Sequence, residues 1–291
     1  MTATYELLGS NGDRIVFDGV EFGVSRDNLE GMSGYPIDVD YQHLPGQVGS
    51  YHDSIEIIGR VITMRVAVFG LGRVALEAKR KRLIRALNPL NGKSTFIWHK
   101  ANGESVYIMV YPEKDSPNFG QGTAPEATIW EGDLNLIAED PCWYRLQDTI
   151  LYPLRGYEGG FSVPFSLPLS FGTISTSVTI DNPGDIPSGC TIQIHGMMVN
   201  PVISNLTTGE AISIKRTIAA GEILTISTGD DAQSAVLTSA DGTVTNALHY
   251  VSIESDFWHI WPGTNTLQIL AADADAAAVA YVSYIPRDPA Q

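Results

Sequence analysis

VAVFGLGRVALEAKRKRLIRALNPL, residues Val66–Leu90, is the stretch that decides the fold class of this chain. An apolar run ending at Phe69 leads into a G-x-G-x-x-A turn from Gly70 to Ala75, and a helical pattern follows. A glycine-rich turn between a strand and a helix is the local setting of a dinucleotide-binding fingerprint. That fold also requires repeated strand–helix–strand units and an acidic residue about 20 positions further on, which holds the ribose hydroxyls.

The residues after the turn argue against this interpretation. The next β-like segment, Thr95–Trp98, ends in His99 and Lys100 rather than in an acidic residue. Val74–Leu87 is the one segment with a convincing helical pattern in a chain of short β-like runs. The sequence therefore predicts no nucleotide cofactor, and the glycines let the chain leave a strand and turn into a lone helix lying across a sheet.

The predicted helix has an apolar stripe and a basic face. Successive helical residues are rotated by about 100°, which separates the two sets. The stripe consists of Leu76, Leu83 and Leu87, with Ile84 beside it. The basic face carries Lys81, Arg82 and Arg85. Asn88-Pro89 ends the helix, because the residue before a proline disfavours the helical conformation. We interpret the basic face as solvated, and contact with an acidic neighbouring subunit is the alternative.

Composition and charge indicate an acidic globular protein. Hydrophobic residues make up 44% and charged residues 18% of the 291 residues, and the formal net charge is −15. Beyond Gly156, three basic residues stand against thirteen acidic ones. Gripping nucleic acid requires Lys and Arg at the phosphates. We therefore expect no specific nucleic-acid binding, although DNA can pass such a surface without adhering to it.

Turn signals divide the chain into two β-rich parts. Residues 155–172 are rich in Gly, Pro and Ser and carry few charges, which is typical of a boundary. Beyond them, short strand patterns alternate with turns every 8–12 residues or so, as in an all-β sandwich. We predict a mainly β fold with three parts: an N-terminal β-barrel or sheet domain with one helix (1–155), a linker (156–172) and a C-terminal β-sandwich (173–291).

The sequence indicates neither a targeting signal nor a disulfide framework. No apolar run reaches the roughly 18 residues that a membrane helix needs. The N-terminus has no basic patch followed by an apolar stretch, so we expect no signal peptide and no membrane association. Cys142 and Cys190 do not make a disulfide framework. We expect both to be buried, in a chain that folds in a reducing cytoplasm.

Catalytic, cofactor and metal residues are not indicated by any motif. The six histidines include no H-x-x-x-H pair and have no C-x-x-C companion, which argues against a zinc site. G-x-S-x-G and P-loop motifs do not occur. We therefore predict no enzyme, no cofactor and no metal. Trp258 and Trp261 are placed to stack on a sugar, so a carbohydrate-binding module that assists host-surface adhesion stays open as the alternative, although core or edge packing is the commoner role in a sandwich.

Several short motifs recur in a characteristic order. In the second half they are Asn182–Asp185, Thr191–Gly196, Asn200–Glu210, Ala220–Ile226 and Pro262–Leu267. In the first half they are Leu44-Pro45-Gly46, the long strand after it, the lone helix ending at Asn88-Pro89, a hairpin, and the closing run Ala138–Tyr144. This order resembles that of the distal tail proteins of long-tailed, non-contractile phages. The resemblance spans nearly the whole chain and rests on the order, since no single motif is catalytic or highly specific.

The resemblance implies a structural role in a virion. Such proteins have an N-terminal β-domain that assembles into a hexameric ring and a galectin-like β-sandwich outside it. The ring is the hub of the tail tip: it joins the last tail-tube ring to the tail-associated protein, with the tape-measure protein nearby and DNA crossing the lumen. The family resemblance thus implies a tail-tip protein made in the cytoplasm of the bacterial host. Residues 173–291 have about the size of a bare sandwich, so we expect no inserted arm.

Residues 29–54 are the candidate subunit interface. This stretch lacks a clear helix or strand period over most of its length, which inside a compact domain is typical of functional or disordered segments. Its apolar residues are Tyr35, Ile37, Val39, Tyr41 and Leu44, too many for a solvated linker. The alternation from Tyr35 to Tyr41 predicts a strand that joins the sheet edge of a neighbouring subunit.

Overall fold

A computed structural model describes residues 3–43, 45–46, 48–120, 128–146, 151–155, 174–229 and 233–290. It divides into two compact units, Met1–Gln147 with Asp288–Gln291, and Asp148–Arg287. Both are mainly β, as the sequence predicts.

The N-terminal unit combines ten strands with one α-helix. The strands are β1 (Thr4–Leu8), β2 (Arg14–Phe17), β3 (Phe22–Glu30), β4 (Ile37–Gln42), β5 (Tyr51–Ile57), β6 (Arg60–Phe69), β7 (Ser94–His99), β8 (Ser105–Pro112), β9 (Ile129–Ala138) and β10 (Trp143–Arg145). Helix α1 spans Arg73–Ala86, and a 3-10 turn follows at Pro89–Asn91. The strands β2-β1-β7-β8-β9-β6-β3 form one antiparallel, nearly closed barrel-like sheet, with β10 beside β8.

Strand β6 explains why the apolar run before the glycines belongs to a core. It pairs with β9 over its whole length, from Arg60↔Ala138 to Phe69↔Ile129. Its alternate residues Ile62, Met64, Val66 and Val68 are fully buried. Period-two burial of this kind is what one covered face of a sheet produces.

Helix α1 confirms the predicted apolar stripe. Leu76, Leu83 and Leu87 are all buried in the N-terminal core. Gly72, with a φ of 81°, is the last residue before the helix, so the chain turns at a position where a side chain would be strained. Ile84, which we expected beside the stripe, is exposed because its rotation carries it past the buried edge.

The β-branched run Ile55–Phe69, whose sequence predicts one long strand with a possible bulge at Gly59, in fact forms parts of two strands. The strand is interrupted at Ile58-Gly59, so that β5 ends before these residues and β6 begins after them. Strands β4 and β5 form a separate two-stranded sheet. At Gly59 a β-carbon would lie 3.0 Å from the carbonyl oxygen of Ala138, so the backbones approach closely there. The pattern of β-branched residues does not reveal this break.

The C-terminal unit is the expected sandwich. Its strands are β11 (Tyr152–Arg155), β12 (Ile174–Asn182), β13 (Cys190–His195), β14 (Met198–Val199), β15 (Val202–Asn205), β16 (Glu210–Ser213), β17 (Thr217–Ile218), β18 (Ile223–Ser227), β19 (Ser234–Thr238), β20 (Val244–Asn246), β21 (Gly263–Ala271), β22 (Asp273–Ala274) and β23 (Val279–Tyr284), with a 3-10 turn at Leu248–Tyr250. The two main sheets are β11-β23-β13-β18-β19-β20 and β12-β21-β15-β16, and β17-β14-β22 form a third. One core of aliphatic residues runs through these sheets.

The unit boundaries differ from the predicted domain limits. Tyr152–Arg155, expected in the N-terminal domain, pairs with β23, and Leu154 is buried in the sandwich core. At the other end, Asp288–Gln291 belong to the N-terminal unit, and the last strand, β24 (Arg287–Asp288), pairs with β10. The predicted linker lies almost wholly outside the described residues. Composition marks where turns are frequent, but pairing decides which unit a strand joins.

We predict that Leu83→Ala lowers the free energy of unfolding by about 2–5 kcal/mol, because it leaves a cavity under the helix. Denaturant unfolding followed by circular dichroism measures this loss. Val74→Ala, at an exposed position of the same helix, is the control and should change stability by less than about 0.5 kcal/mol. Equal effects of the two substitutions would contradict the assignment of the buried face.

Candidate subunit interface

Strands β4 and β5 form a hairpin that we call the arm, residues Tyr35–Ile58. The register runs from Ile37↔Ile57 to Gln42↔Tyr51, with an irregularity after Asp40. At its root the amide of Ile58 donates to the carbonyl of Pro36 at 2.8 Å. Among the described residues, neither strand pairs with any other. A two-stranded hairpin alone is marginally stable in water, so we expect further packing to stabilise this one.

The predicted interface residues lie on the arm or just before it. Tyr35, Ile37 and Tyr41 are exposed, Tyr41 to 63%, and Val39 is half-buried. Leu44 lies outside the described residues. The predicted strand therefore forms, but it pairs with β5 of its own chain, because β5 is separated from β6. The assignment of these residues to a subunit interface stays a prediction.

The two faces of the arm differ in chemistry. Ile37 and Val39 stand opposite Ile57 and Ile55, which makes one face apolar. On the other face, Asp38 lies opposite Glu56, and Asp40 lies opposite Ser54. No Lys or Arg occurs between Arg26 and Arg60 in the sequence. The arm is thus an acidic ribbon with one exposed apolar face.

Arg60 anchors the root of the arm. Its side chain is 2% exposed and donates to the carbonyls of Gly31 at 2.7 Å, Gly34 at 2.9 Å and Pro141 at 2.9 Å. It also donates to the carbonyl of Pro289. Burial lowers the pKa of Arg60, yet a guanidinium stays charged at neutral pH. The fork geometry of the guanidinium therefore joins the arm, the β9–β10 connection and the C-terminal residues.

Gly31 is required where the chain enters the arm. Its φ is +76°, and a β-carbon there would lie 1.9 Å from the carbonyl oxygen of Val61. A side chain would push the neighbouring strand away. This close approach puts the carbonyl of Gly31 within reach of Arg60.

The basic face of α1 is largely neutralised within the chain. Lys79 and Arg82 pair with Glu21, at 3.3 and 3.0 Å, and Arg85 pairs with Asp13 at 2.7 Å. Arg73 pairs with Glu77 along the helix at 2.8 Å. The side chain of Arg80 stacks on Trp130, with Cζ 4.9 Å from the ring centroid. Lys81 and Arg85 are exposed and Arg82 is partly exposed, so the face is solvated as predicted. Acidic residues of the β1–β2 and β2–β3 connections form ion pairs with it at the surface.

The two tryptophans of the sandwich have different environments. Trp258 is 1% exposed and its indole donates to the carbonyl of Ile203 at 3.3 Å, so it belongs to the core. Trp261 is 52% exposed. Of the pair we considered for sugar stacking, Trp261 alone presents its ring to solvent.

Metal, thiol and membrane chemistry are not indicated in the described part of the chain. Among those residues, no group of three or more His, Cys, Asp and Glu is arranged to hold a metal ion. Both cysteines are buried as predicted, and burial raises the pKa of the Cys190 thiol to about 12. None of the described helices is long and apolar enough to cross a membrane.

Known proteins match both the C-terminal unit and the whole fold. Residues 183–287 match the family model of the siphovirus-type tail component, C-terminal domain. The Dit protein of phage SPP1, described as a paradigm of hub adsorption apparatus in phages that infect Gram-positive bacteria, matches with a TM-score of 0.68 and 15% identity over 99% of both chains. A protein of the activated phage P2 baseplate matches with a TM-score of 0.59 and 12% identity over 98% of both chains. No curated protein matches the chain.

Residues 183–287 are thus similar to the C-terminal domain of siphovirus-type tail components. The whole length of the chain has the fold of a phage distal tail protein. The resemblance inferred from the order of motifs is therefore confirmed.

Three buried asparagines of the C-terminal unit hold one loop. Asn182 donates to the carbonyl of Ile260 at 2.9 Å, and Asn205 donates to that of His259 at 3.2 Å. Asn265 binds the backbone of Trp261 through both its amide oxygen and its amide nitrogen, at 3.0 and 2.6 Å. The order of the motifs that contain these asparagines is evident in the sequence, but their role is not, because a hydrogen bond across the fold leaves no periodic signal.

We predict that Arg60→Met destabilises the protein by about 2–5 kcal/mol, since four carbonyls lose a buried donor. Thermal and denaturant unfolding measure the loss. Arg65→Met on the same strand is the matched control. Its ion pair with Glu131 is exposed on both sides, and such pairs contribute about 0–1 kcal/mol. Similar losses in both variants would show that the position of Arg60 at the arm's root is unimportant.

Proposed function

We propose that the chain is the structural hub subunit of a phage tail tip. In this role six copies form a ring that connects the tail tube to the tail-associated or baseplate proteins, with the tape-measure protein nearby and DNA passing through the lumen. The protein is made in the cytoplasm of the bacterial host and functions in the virion. The match of the fold to the Dit protein of SPP1 over 99% of both chains supports this role.

The observation that carries the proposal is the arm. Its apolar face is exposed in a single subunit, and a hairpin of two strands does not bury enough surface to be stable alone. Contact between an arm and a different surface of the next copy is a head-to-tail contact. Such contacts close into a ring when the rotation between copies fits. The predicted interface residues Tyr35, Ile37, Val39 and Tyr41, together with Leu44, belong to this contact in the proposal.

Charge supports a lumen that DNA crosses without binding. The N-terminal unit contains fourteen Lys and Arg against twenty Asp and Glu, a formal charge of −6. Most cations of α1 are paired with acidic groups of the same subunit. A wall of this kind offers few free cations to phosphates. The proposal therefore includes a neutral or acidic lumen and no specific nucleic-acid binding.

We predict that the intact chain forms hexamers with an open channel, seen by light scattering and negative-stain images. Replacing Ile37–Ile57 by a short Gly-Ser turn should leave folded monomers, because Pro36 and Ile58 are already hydrogen-bonded at the root. The cut spares Met32, which is buried in the core, so folding is preserved. Hexamers that persist without the arm would place the interface elsewhere. An intact chain that stays monomeric would argue against self-assembly into a ring.

A carbohydrate-binding module is the second candidate function. The observation in its favour is Trp261, an exposed ring on a loop that Asn265 and its neighbours hold in place. The burial of Trp258 in the core weakens this candidate function, because one exposed ring is present where two were expected. Fold alone does not establish sugar binding.

We predict that calorimetric titration with saccharides of the host cell wall gives no micromolar binding. Micromolar binding that disappears in Trp261→Ala, with unfolding unchanged, would favour the carbohydrate-binding role. Leu206→Ala, at another exposed apolar position of the same unit, is the matched control and should behave like the intact chain.

A further inference from the structure

One groove in the N-terminal unit has an apolar lining and a cationic rim. It lies where the end of α1 meets the connection between β8 and β9, and its volume is about 390 Å³. Its apolar lining comes from Ile84, Leu87, Pro89, Pro112 and Pro117. Lys81 and Arg85 flank it on the helix.

Lys81 differs from four of the other five cations of the helix. Arg73, Lys79, Arg82 and Arg85 each form an ion pair. Lys81 is exposed and forms none among the described residues. Its spacing from Ile84 and Arg85 places the three side chains on one helical face. Its charge acts on Glu77 from a distance, so without a close ion pair Lys81 can still contact a carboxylate beside the apolar surface.

The arm has the complementary composition. It carries four carboxylates, Asp38, Asp40, Asp53 and Glu56, and no Lys or Arg. Its apolar face, built on Ile37, Ile55 and Ile57, is exposed. Neighbouring strand axes are about 5 Å apart, so a ribbon of two strands is narrow. A lysine at the rim of a groove can therefore extend past the ribbon's edge toward carboxylates on the far face.

We propose that the arm of one copy docks in this groove of the next copy. The apolar face packs on Ile84 and the groove prolines, and Lys81 reaches the acidic face. This inference rests on the proposed ring and adds the acceptor surface to it. A second copy is the occupant because the cationic rim and the acidic ribbon occur in the same chain on different surfaces, as a head-to-tail contact requires. Burying the apolar face supplies affinity, and the opposite charges favour correct encounter and register.

Engineered disulfides test the docking directly. The chain with both Ile55→Cys and Ile84→Cys, oxidised with oxidised glutathione, should give a covalent ladder up to hexamer on a denaturing, non-reducing gel. Each single variant should stay monomeric on that gel, because a head-to-tail contact brings Ile55 to Ile84 and not to another Ile55. The two native cysteines are buried and do not compete.

The matched control combines Ile55→Cys with Val74→Cys. Val74 is exposed on the same helix ten positions earlier, about 15 Å away along the axis. This pair should give no ladder. Lys81→Glu should weaken ring assembly of the otherwise unmodified chain in light scattering, whereas Lys215→Glu, the same charge change on the sandwich, should not.

The outcomes separate this inference from the proposed function. Rings that form normally while the Ile55→Cys/Ile84→Cys chain gives no ladder would overturn the docking site and leave the ring standing. An intact chain without rings, together with no ladder, would overturn both. A ladder with Val74→Cys in place of Ile84→Cys would overturn the groove as the acceptor.

Discussion

A buried guanidinium, Arg60, with no carboxylate partner among the described residues, is the constraint on which the N-terminal unit depends. A buried charge is costly unless its donors are satisfied. Arg60 meets this condition with carbonyl groups from three separate parts of the chain, and its guanidinium also lies 6.0 Å from the ring centroid of Trp143. The strand that carries Arg60 cannot keep its place unless the arm's root, the β9–β10 connection and the C-terminus keep theirs. The position of the arm is therefore a property of the whole unit and not of the hairpin alone.

Local patterns in the sequence predicted the elements, and contacts distant in sequence decided how they combine. The helix was predicted to within a residue at each end, because its period, Gly72 and Asn88-Pro89 are local signals. The hairpin was missed, because nothing near Gly59 shows that the backbone of Ala138 lies against it. Trp258 and Trp261, three positions apart, have opposite environments, since only contacts across the sandwich distinguish a core ring from a surface ring.

Charge counting illustrates the same limit. The run of Lys and Arg on α1 is evident in the sequence, but its pairing with Glu21 and Asp13 depends on tertiary approach over more than fifty positions. Among the described residues, those pairs leave two cations of α1 without an ion pair: Arg80, which stacks on Trp130, and Lys81, which lies beside a groove. The candidate interface could therefore be predicted on the side of the arm, where apolar residues alternate. The groove at the end of α1, which we propose as the acceptor surface, could be identified only from the ion pairs of the folded chain.

The return of the last residues to the first unit makes the sandwich an insertion. Asp288 lies 3.5 Å from Arg145, so the chain leaves the N-terminal unit and comes back to it at neighbouring points. A module with both ends attached at one place can be lengthened, shortened or replaced without altering the strand order of its host. The sandwich can therefore be exchanged as a cassette between related chains, while the N-terminal unit keeps its own strands and core.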